Sequence, residues 1–440
     1  MIADKIRTDY YNIKGGETSI FTGMGKGEMR RKMRKNDRNL HFLMRMLLYI
    51  SAFLIGCTSC TAEMEISAAA SLSLPVICLE GALLSTLENK LGKIRVQTGE
   101  SVFESDITLK YRGTYSASFT LKRNYTFHLK NADGTQRKEA LLGLRADDDY
   151  ALLGGYSDPS RLRIPVGLEL FRDTCGAASD VALCEVYFGQ YYKGIYTLAE
   201  RPERKTANVP KDGALYRVLA AAVDGVDILS GMEAAAPRGE DWYNIGKVYP
   251  DGDDGWMAME KLQAFLFEAD DAAFAEKIGD YLDMTAFADY YLFCNLIGAT
   301  DNMQKNMFIA WDGEKMYPMP WDLDAAFGRL YNAELSDPQM WYSSPLFDRL
   351  LKTEAFCQLL PARYAALREH YLPENVCARF TAYADVLSES GALEREAARF
   401  SVYTDVTTQK SHQLDVYGEI ELIRDFMQRR IALLDAAFLQ

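Results

Sequence analysis

Apolar positions change their spacing near the middle of this chain. From about residue 74 they come in short runs bounded by turn formers, and 76–79, 93–96 and 107–111 read as strands. Residues 125–130 (Tyr-Thr-Phe-His-Leu-Lys) alternate with the period of two that sends successive side chains to opposite faces of a sheet. Asn131-Ala132-Asp133-Gly134 closes that strand as a turn. A helix is predicted over 162–171, then a hairpin from 182–188 and 192–198 around Gly189-Gln190. From about Asp254 the pattern is mainly helical, over 255–267, 271–280, 284–297, 355–370, 378–396 and 417–437. Two short strands, 306–310 and 315–317, interrupt the helices, with Asp312-Gly313 as their turn. Strands followed by helices predict an α+β protein of two lobes with a cleft between them. The β-rich N-lobe is assigned to 74–217 and the helical C-lobe to 218–440. No tandem repeat interrupts this order.

The segment before the first strand has a different character. Residues 1–56 carry 11 Lys and Arg against 5 Asp and Glu, whereas the whole chain is at −13. Basic residues crowd at 30–35, and an apolar run over 46–56 ends at Cys57. A charged stretch before a short apolar run is the pattern of a secretory signal. The run falls short of the roughly 20 apolar residues that cross a bilayer. Leu54-Ile55-Gly56-Cys57 resembles the lipobox of bacterial lipoproteins. That resemblance implies cleavage before Cys57 and a lipid on its sulfur. The expected location is therefore extracytoplasmic, anchored to a bacterial membrane or cell surface. An uncleaved anchor or an internal apolar helix is the alternative. Translation starting at Met24, Met29 or Met33 would give a leader of ordinary length. Residues 57–73, small and polar, then read as a tether.

Charge and cysteines narrow the field. Strong net acidity argues against nonspecific nucleic-acid binding, which needs clustered Lys and Arg, so no nucleic-acid partner is expected. Beyond Cys57 and Cys60, six cysteines are scattered without a CxxC pair, which argues against a zinc ribbon. Cys175 and Cys184 flank a turn and could pair; burial as small apolar residues is the commoner fate. None of the four histidines sits in HExxH. Neither a GxSxG elbow nor a GxxxxGK[ST] loop occurs.

Residues 295–328 are the richest in candidate chemistry. Asp301-x-x-x-x-Asn306 has the spacing of a protein-kinase catalytic loop, and a short hairpin then leads to Trp321-Asp322-Leu323-Asp324 and Phe327-Gly328. In such an arrangement Asp301 takes the proton of an attacking hydroxyl, while Asn306 and Asp324 hold a metal. Magnesium prefers hard oxygen ligands and needs only one or two carboxylates beside nucleotide phosphates. If the segment is extended, Asp322 and Asp324 share a face, and Asp322 either ligates or supports. Capping and turn chemistry would account for the same residues without catalysis: Asp301 as a helix cap, Asp322 bonded to nearby backbone amides.

Several segments, in order, resemble the CotH kinase family (spore-coat protein H and its bacterial relatives), a group of atypical protein-kinase-like proteins. They are 111–116 (Tyr-Arg-Gly-Thr-Tyr-Ser), Lys122-Arg123-Asn124-Tyr125, and 150–153 with the Asp158-Pro-Ser-Arg161-Leu-Arg163 element. The 186–200 hairpin, the acidic segment above and the closing stretch 419–438 with Arg430 complete the set. The resemblance spans roughly 74–438. It implies a two-lobed kinase-like fold, ATP with Mg2+ or Mn2+, and phosphate transfer to a protein hydroxyl. It places Asp301 as the catalytic acid, Asn306 and Asp324 as metal ligands with Asp322 beside them, and Lys122, Arg112 or Glu200 against the nucleotide. Thr114-Tyr115 and Arg123 depart from the family pattern, which leaves Lys122 first and Arg112 next as the phosphate-binding cation. Lys122 and Arg112 as exposed strand residues, and Glu200 as a cap, are the structural alternatives. Arg161 and Arg163 read as structural pair partners. Because ATP is scarce outside the cytoplasm, an inactive kinase-fold surface module that binds a protein or carbohydrate is the rival function.

Overall fold

The computed structural model describes residues 73–439 apart from 83, 114–119, 220–226, 234–240 and 253. The expected leader (1–56), Cys57 and all but the last residue of the tether (57–73) lie outside the described residues.

Seven strands close into a barrel: β1 (Val76–Gly81), β2 (Lys90–Thr98), β3 (Ser101–Arg112), β4 (Asn124–Lys130), β5 (Asp149–Leu153), β6 (Val181–Phe188) and β7 (Tyr191–Glu200). Their spatial order is β1-β2-β3-β4-β5-β7-β6. Parallel pairing of β1 with β6 closes the ring, and the other ladders are antiparallel. Closure leaves no unpaired edge. Alternation fills the interior: Ile94 and Val96 of β2, Ile107 and Leu109 of β3, and Phe127 and Leu129 of β4 meet Leu152, Val186 and Leu198. The predicted strands and hairpin of the first half all fall in this barrel. One helix, α1 (Arg163–Thr174), runs between β5 and β6.

A second sheet was harder to foresee. It holds β8 (Ala214–Val218), β9 (Asp241–Trp242), β10 (Ile245–Tyr249), β11 (Met307–Trp311) and β12 (Met316–Pro320), in the order β12-β11-β8-β10-β9. The lobe boundary expected at 217/218 cuts β8, because Val218 lies opposite Met307 of β11 and Ile245 of β10. The strand is too short to show alternation, and one of its partners is distant in sequence.

Helices α2 (Met257–Glu268), α3 (Asp271–Tyr281), α4 (Met284–Ile297), α5 (Pro345–Leu350), α6 (Glu354–Arg368), α7 (Pro373–Glu389), α8 (Ala392–Phe400) and α9 (Val416–Phe438) build the rest, with a small hairpin of β13 (Val402–Thr404) and β14 (Ser411–Gln413). The single helix expected over 378–396 is two. Gly391 sits in a left-handed turn (φ +68°), which ends one helix and starts the next.

Helix α4 is the axis of the helical half. Asp283 caps it by accepting from the backbone N–H groups of Thr285 and Ala286, both at 3.0 Å. Every side chain from 287 to 297 is buried, as expected of a helix apolar on all sides. Gly298 ends it at φ +65°, and a Cβ there would come within 2.5 Å of the Phe426 ring of α9. Gly298→Ala is therefore expected to cost about 1–3 kcal/mol, from the left-handed backbone and the clash together. Urea unfolding measures it, and a loss below about 0.5 kcal/mol would show that neither constraint binds.

Candidate active site

The loop that leaves α4 at Gly298 carries Asp301 and Asn306, and the turn after β12 carries Asp322 and Asp324. Backbone bonds hold loop and turn side by side. Trp321 N–H donates to Asn306 O (2.9 Å), Thr300 N–H to Ala325 O (3.3 Å), and Phe327 N–H to Ile297 O (2.6 Å). Asn306, Asp322 and Phe327 all adopt left-handed backbone angles, at φ +52°, +58° and +49°. Non-glycine residues there cost free energy and cluster at functional sites. The condition under which Asp322 and Asp324 would share a strand face, an extended 322–324 segment, is thus not met: Asp322 begins a turn. The two carboxylates nevertheless line one cavity, because the turn and not strand alternation brings them together.

That cavity, of about 730 Å³, is bounded by the barrel, the second sheet and the acidic loop and turn. Its size suits a small-molecule cofactor. Asp301, Asn306, Asp322 and Asp324 line it together with Lys122, Arg112, Lys110, Arg201 and Arg217. Six of the seven expected site residues therefore share one space. Glu200 is the correction. It accepts from the backbone N–H of Arg145 (2.8 Å) and pairs with that guanidinium (3.5 Å), so it fastens the 141–147 turn and does not line the cavity.

The acidic side carries excess negative charge. Burial raises the Asp324 carboxyl well above its usual range, and Asp322, Asp301 and Asp158 push the same way against one hydrogen bond from Ser157 (3.3 Å). Burial also raises Asp322, opposed by Arg112. Asp301 has the Lys305 ammonium at 2.9 Å. Among the described residues no group of three or more His, Cys, Asp or Glu side chains is placed to hold a metal alone. The donors instead fit a hard divalent cation that shares its ligands between Asp324, the Asn306 amide oxygen and phosphate oxygens, with Asp322 beside them. Such a cation would offset the crowding of carboxylates at Asp324.

The basic side is built differently from the exposed-strand alternative for Lys122 and Arg112. Lys122 is 1% exposed, and its Nζ lies 2.7 Å from Glu396 Oε1. Glu396 stands on α8, near the far end of the chain. The same oxygen accepts from Arg161 Nε (2.8 Å), and Oε2 accepts from Ile195 N–H (2.8 Å). Gly194 makes room: a Cβ there would meet Glu396 Oε2 at 2.3 Å. Despite burial, Lys122 and Arg161 hold the Glu396 carboxyl below its usual range. Burial lowers the Lys122 ammonium to about 7, against the pull of Glu396 and with the help of Arg161. Arg112 stacks over the Trp321 ring at 4.9 Å, and burial lowers its guanidinium to about 10.

Arg163 joins the site to the rest of the helical half. It pairs with Asp158 and with Glu419 of α9 (2.6 Å), and donates to the carbonyls of Ala326 (2.9 Å) and Phe327 (3.2 Å). Arg161 and Arg163 are thus pair partners. Arg430, expected in the closing helix, is buried in α9 and donates to the carbonyls of Asn295 (2.7 Å) and Pro338 (2.9 Å).

Among the described residues Cys175 and Cys184 are free, as are the other four cysteines, and Cys184 is buried in the barrel. No described helix is long and apolar enough to cross a membrane.

A β-rich lobe, a helical lobe and an acidic loop-and-turn between them define a kinase-like α+β fold. The chain belongs to the CotH kinase family: the family model described as CotH kinase protein matches residues 109–434. Among solved structures, a chain of the Shewanella oneidensis MR-1 toxin–antitoxin system HipA, HipB and operator DNA complex aligns at 12% identity with a TM-score of 0.30. The alignment covers 81% of this chain and 66% of that one, so this chain spans just under two thirds of that chain's length. No curated protein matches the chain.

Proposed function

We propose that this protein is a metal-dependent phosphotransferase that moves the terminal phosphoryl group of ATP to a hydroxyl side chain of a surface or extracytoplasmic protein. The observation that carries this reading is one cavity lined by Asp301, Asn306, Asp322 and Asp324 together with Lys122 and Arg112. Phosphoryl transfer asks little covalent chemistry of the protein beyond positioning and charge stabilisation, which this lining suits. A bound Mg2+ or Mn2+ would neutralise charge on the phosphates. Lys122, fixed by Glu396, and Arg112, fixed against Trp321, direct positive charge at the phosphate oxygens. Asp301 accepts the proton of the acceptor hydroxyl. Asp324 and Asn306 present their oxygens to the cation, and Ser157 steadies the Asp324 carboxylate. Residues 1–56 act as the export signal, and a lipid on Cys57 tethers the domain at the membrane.

Incubation of the purified protein with labelled ATP, Mn2+ and a generic acceptor protein should label the acceptor, with loss of label in Asp301→Asn. Wild-type protein that neither binds nucleotide nor transfers label would refute catalysis and favour a binding module. Fatty-acid labelling that survives Cys57→Ala would refute the anchor.

A further inference from the structure

We propose that Asn302, the residue next to Asp301, is a positioning residue that sets the spacing between the two halves of the acidic site. Asn302 is fully buried (0% exposed). Its Nδ2 donates to Asn306 O at 2.9 Å and to Trp321 O at 2.8 Å. One side-chain amide thus spans the loop that carries Asp301 and Asn306 and the turn that carries Asp322 and Asp324. The carbonyls it grips are not arbitrary. Asn306 O belongs to a residue at φ +52°, and Trp321 O belongs to the peptide unit entering Asp322, at φ +58°. Rotating either peptide plane re-aims the neighbouring side chain, so the two bonds fix the direction of the Asn306 amide and the Asp322 carboxylate. The grip is itself supported. Tyr290 of α4, fully buried, donates its Oη to Asn302 O at 2.8 Å, which ties the loop to the most buried helix of the lobe.

Chemistry restricts the position to asparagine. Two carbonyl acceptors need two N–H donors from one planar group, and the primary amide supplies them. Aspartate has the same shape but no donor when ionised, and would face two carbonyls with a negative charge. Serine keeps a single donor.

This inference rests on the metal-dependent reading above, and the experiment separates the two. Mn2+ binding to the full chain, alone and with ADP, is followed by Mn2+ electron paramagnetic resonance beside label transfer and thermal unfolding. Asn302→Asp and Asn302→Ser should unfold cooperatively yet bind Mn2+ in the presence of ADP roughly 10–100-fold more weakly, Asp more than Ser. KM for ATP should change less than kcat, since Lys122 and Arg112 are untouched. Tyr290→Phe, which leaves every donor of Asn302 in place, should show the same pattern more weakly. Should Asn302→Asp not fold, the Ser and Phe variants carry the comparison. Wild-type Mn2+ affinity in the folded variants would overturn the positioning role. If the wild type binds Mn2+ with ADP but never transfers label, phosphotransfer falls, and weaker Mn2+ binding by the variants still supports Asn302. If the wild type binds no Mn2+, both fall.

Discussion

Asp324→Ala is expected to cut label transfer by roughly 10²–10³-fold and, in the same protein, to raise the stability of the ligand-free fold. The two effects have one cause. Asp324 is a partly buried carboxylate with Asp322, Asp301 and Asp158 nearby, and the hydroxyl of Ser157 donates to it. Without a cation, an ionised carboxylate there is held against repulsion in a place where water serves it poorly. Removing it relieves that repulsion, a gain on the order of 1 kcal/mol, as is common where a site trades stability for activity. With Mn2+ and nucleotide present the order should reverse. A ligand that binds the folded form stabilises it by mass action, and only the protein that keeps Asp324 collects the full effect. Thermal unfolding of both proteins, with and without Mn2+ and ADP, gives four midpoints. A variant less stable than wild type in the ligand-free state, or equally shifted by the ligands, would mean that Asp324 is a structural turn residue.

The parts of the fold that the sequence made legible are those whose signals are local. Helix α4 was expected over 284–297 and spans those residues, because Asp283 and Gly298 cap its two ends and most positions between are apolar. The acidic loop and turn were legible for a similar reason, since Asp301, Asn306, Asp322 and Asp324 lie within one short stretch. What escaped depends on distant partners. Strand β8 is a strand because β11 and β10 flank it. Asp322 looked extended from its alternation with Asp324, whereas the bonds of Asn302 and Asn306 to the Trp321 peptide impose a left-handed turn. Glu200 looked functional at the end of a family-like hairpin, but its fate was decided by Arg145, 55 residues earlier. Glu396 was the largest miss. In 392–400 (Ala-Leu-Glu-Arg-Glu-Ala-Ala-Arg-Phe) it reads as one more charge on a solvated helix face. A finer signal was present: Ala392, Glu396 and Phe400 recur every four residues, the spacing of a buried stripe, and all three are buried.

Glu396→Ala is the second large effect expected, and it falls on the fold first. Glu396 is the shared partner of Lys122, 274 residues away, and of Arg161, both of them buried. Truncation leaves two cations facing each other in the interior without their carboxylate. Breaking a buried pair in this way typically costs about 3–5 kcal/mol, more than forming it stabilises, because the remaining charge has no solvent to return to. The pH dependence follows from Lys122. Burial already lowers its ammonium from the usual lysine value to about 7, and Glu396 opposes that shift, so alanine lowers it further. A lysine with a depressed folded pKa adds stability as pH rises from that value toward the unfolded one near 10.5, and loses it as pH falls. Wild type should therefore gain stability between about pH 7 and 10. The variant sheds its Lys122 proton at lower pH, so its deficit should be largest in acid and should narrow as pH rises toward 7. Urea unfolding of both proteins at pH 5.5 and 8 reads the two deficits directly. Glu396→Gln, which keeps an acceptor but no charge, should fall between them, and nucleotide affinity should decline in the same order if Lys122 meets the phosphates. A deficit under about 1 kcal/mol, or one that widens with pH, would show that Lys122 and Arg161 find other partners. In that case α8 would not govern the basic side of the cavity.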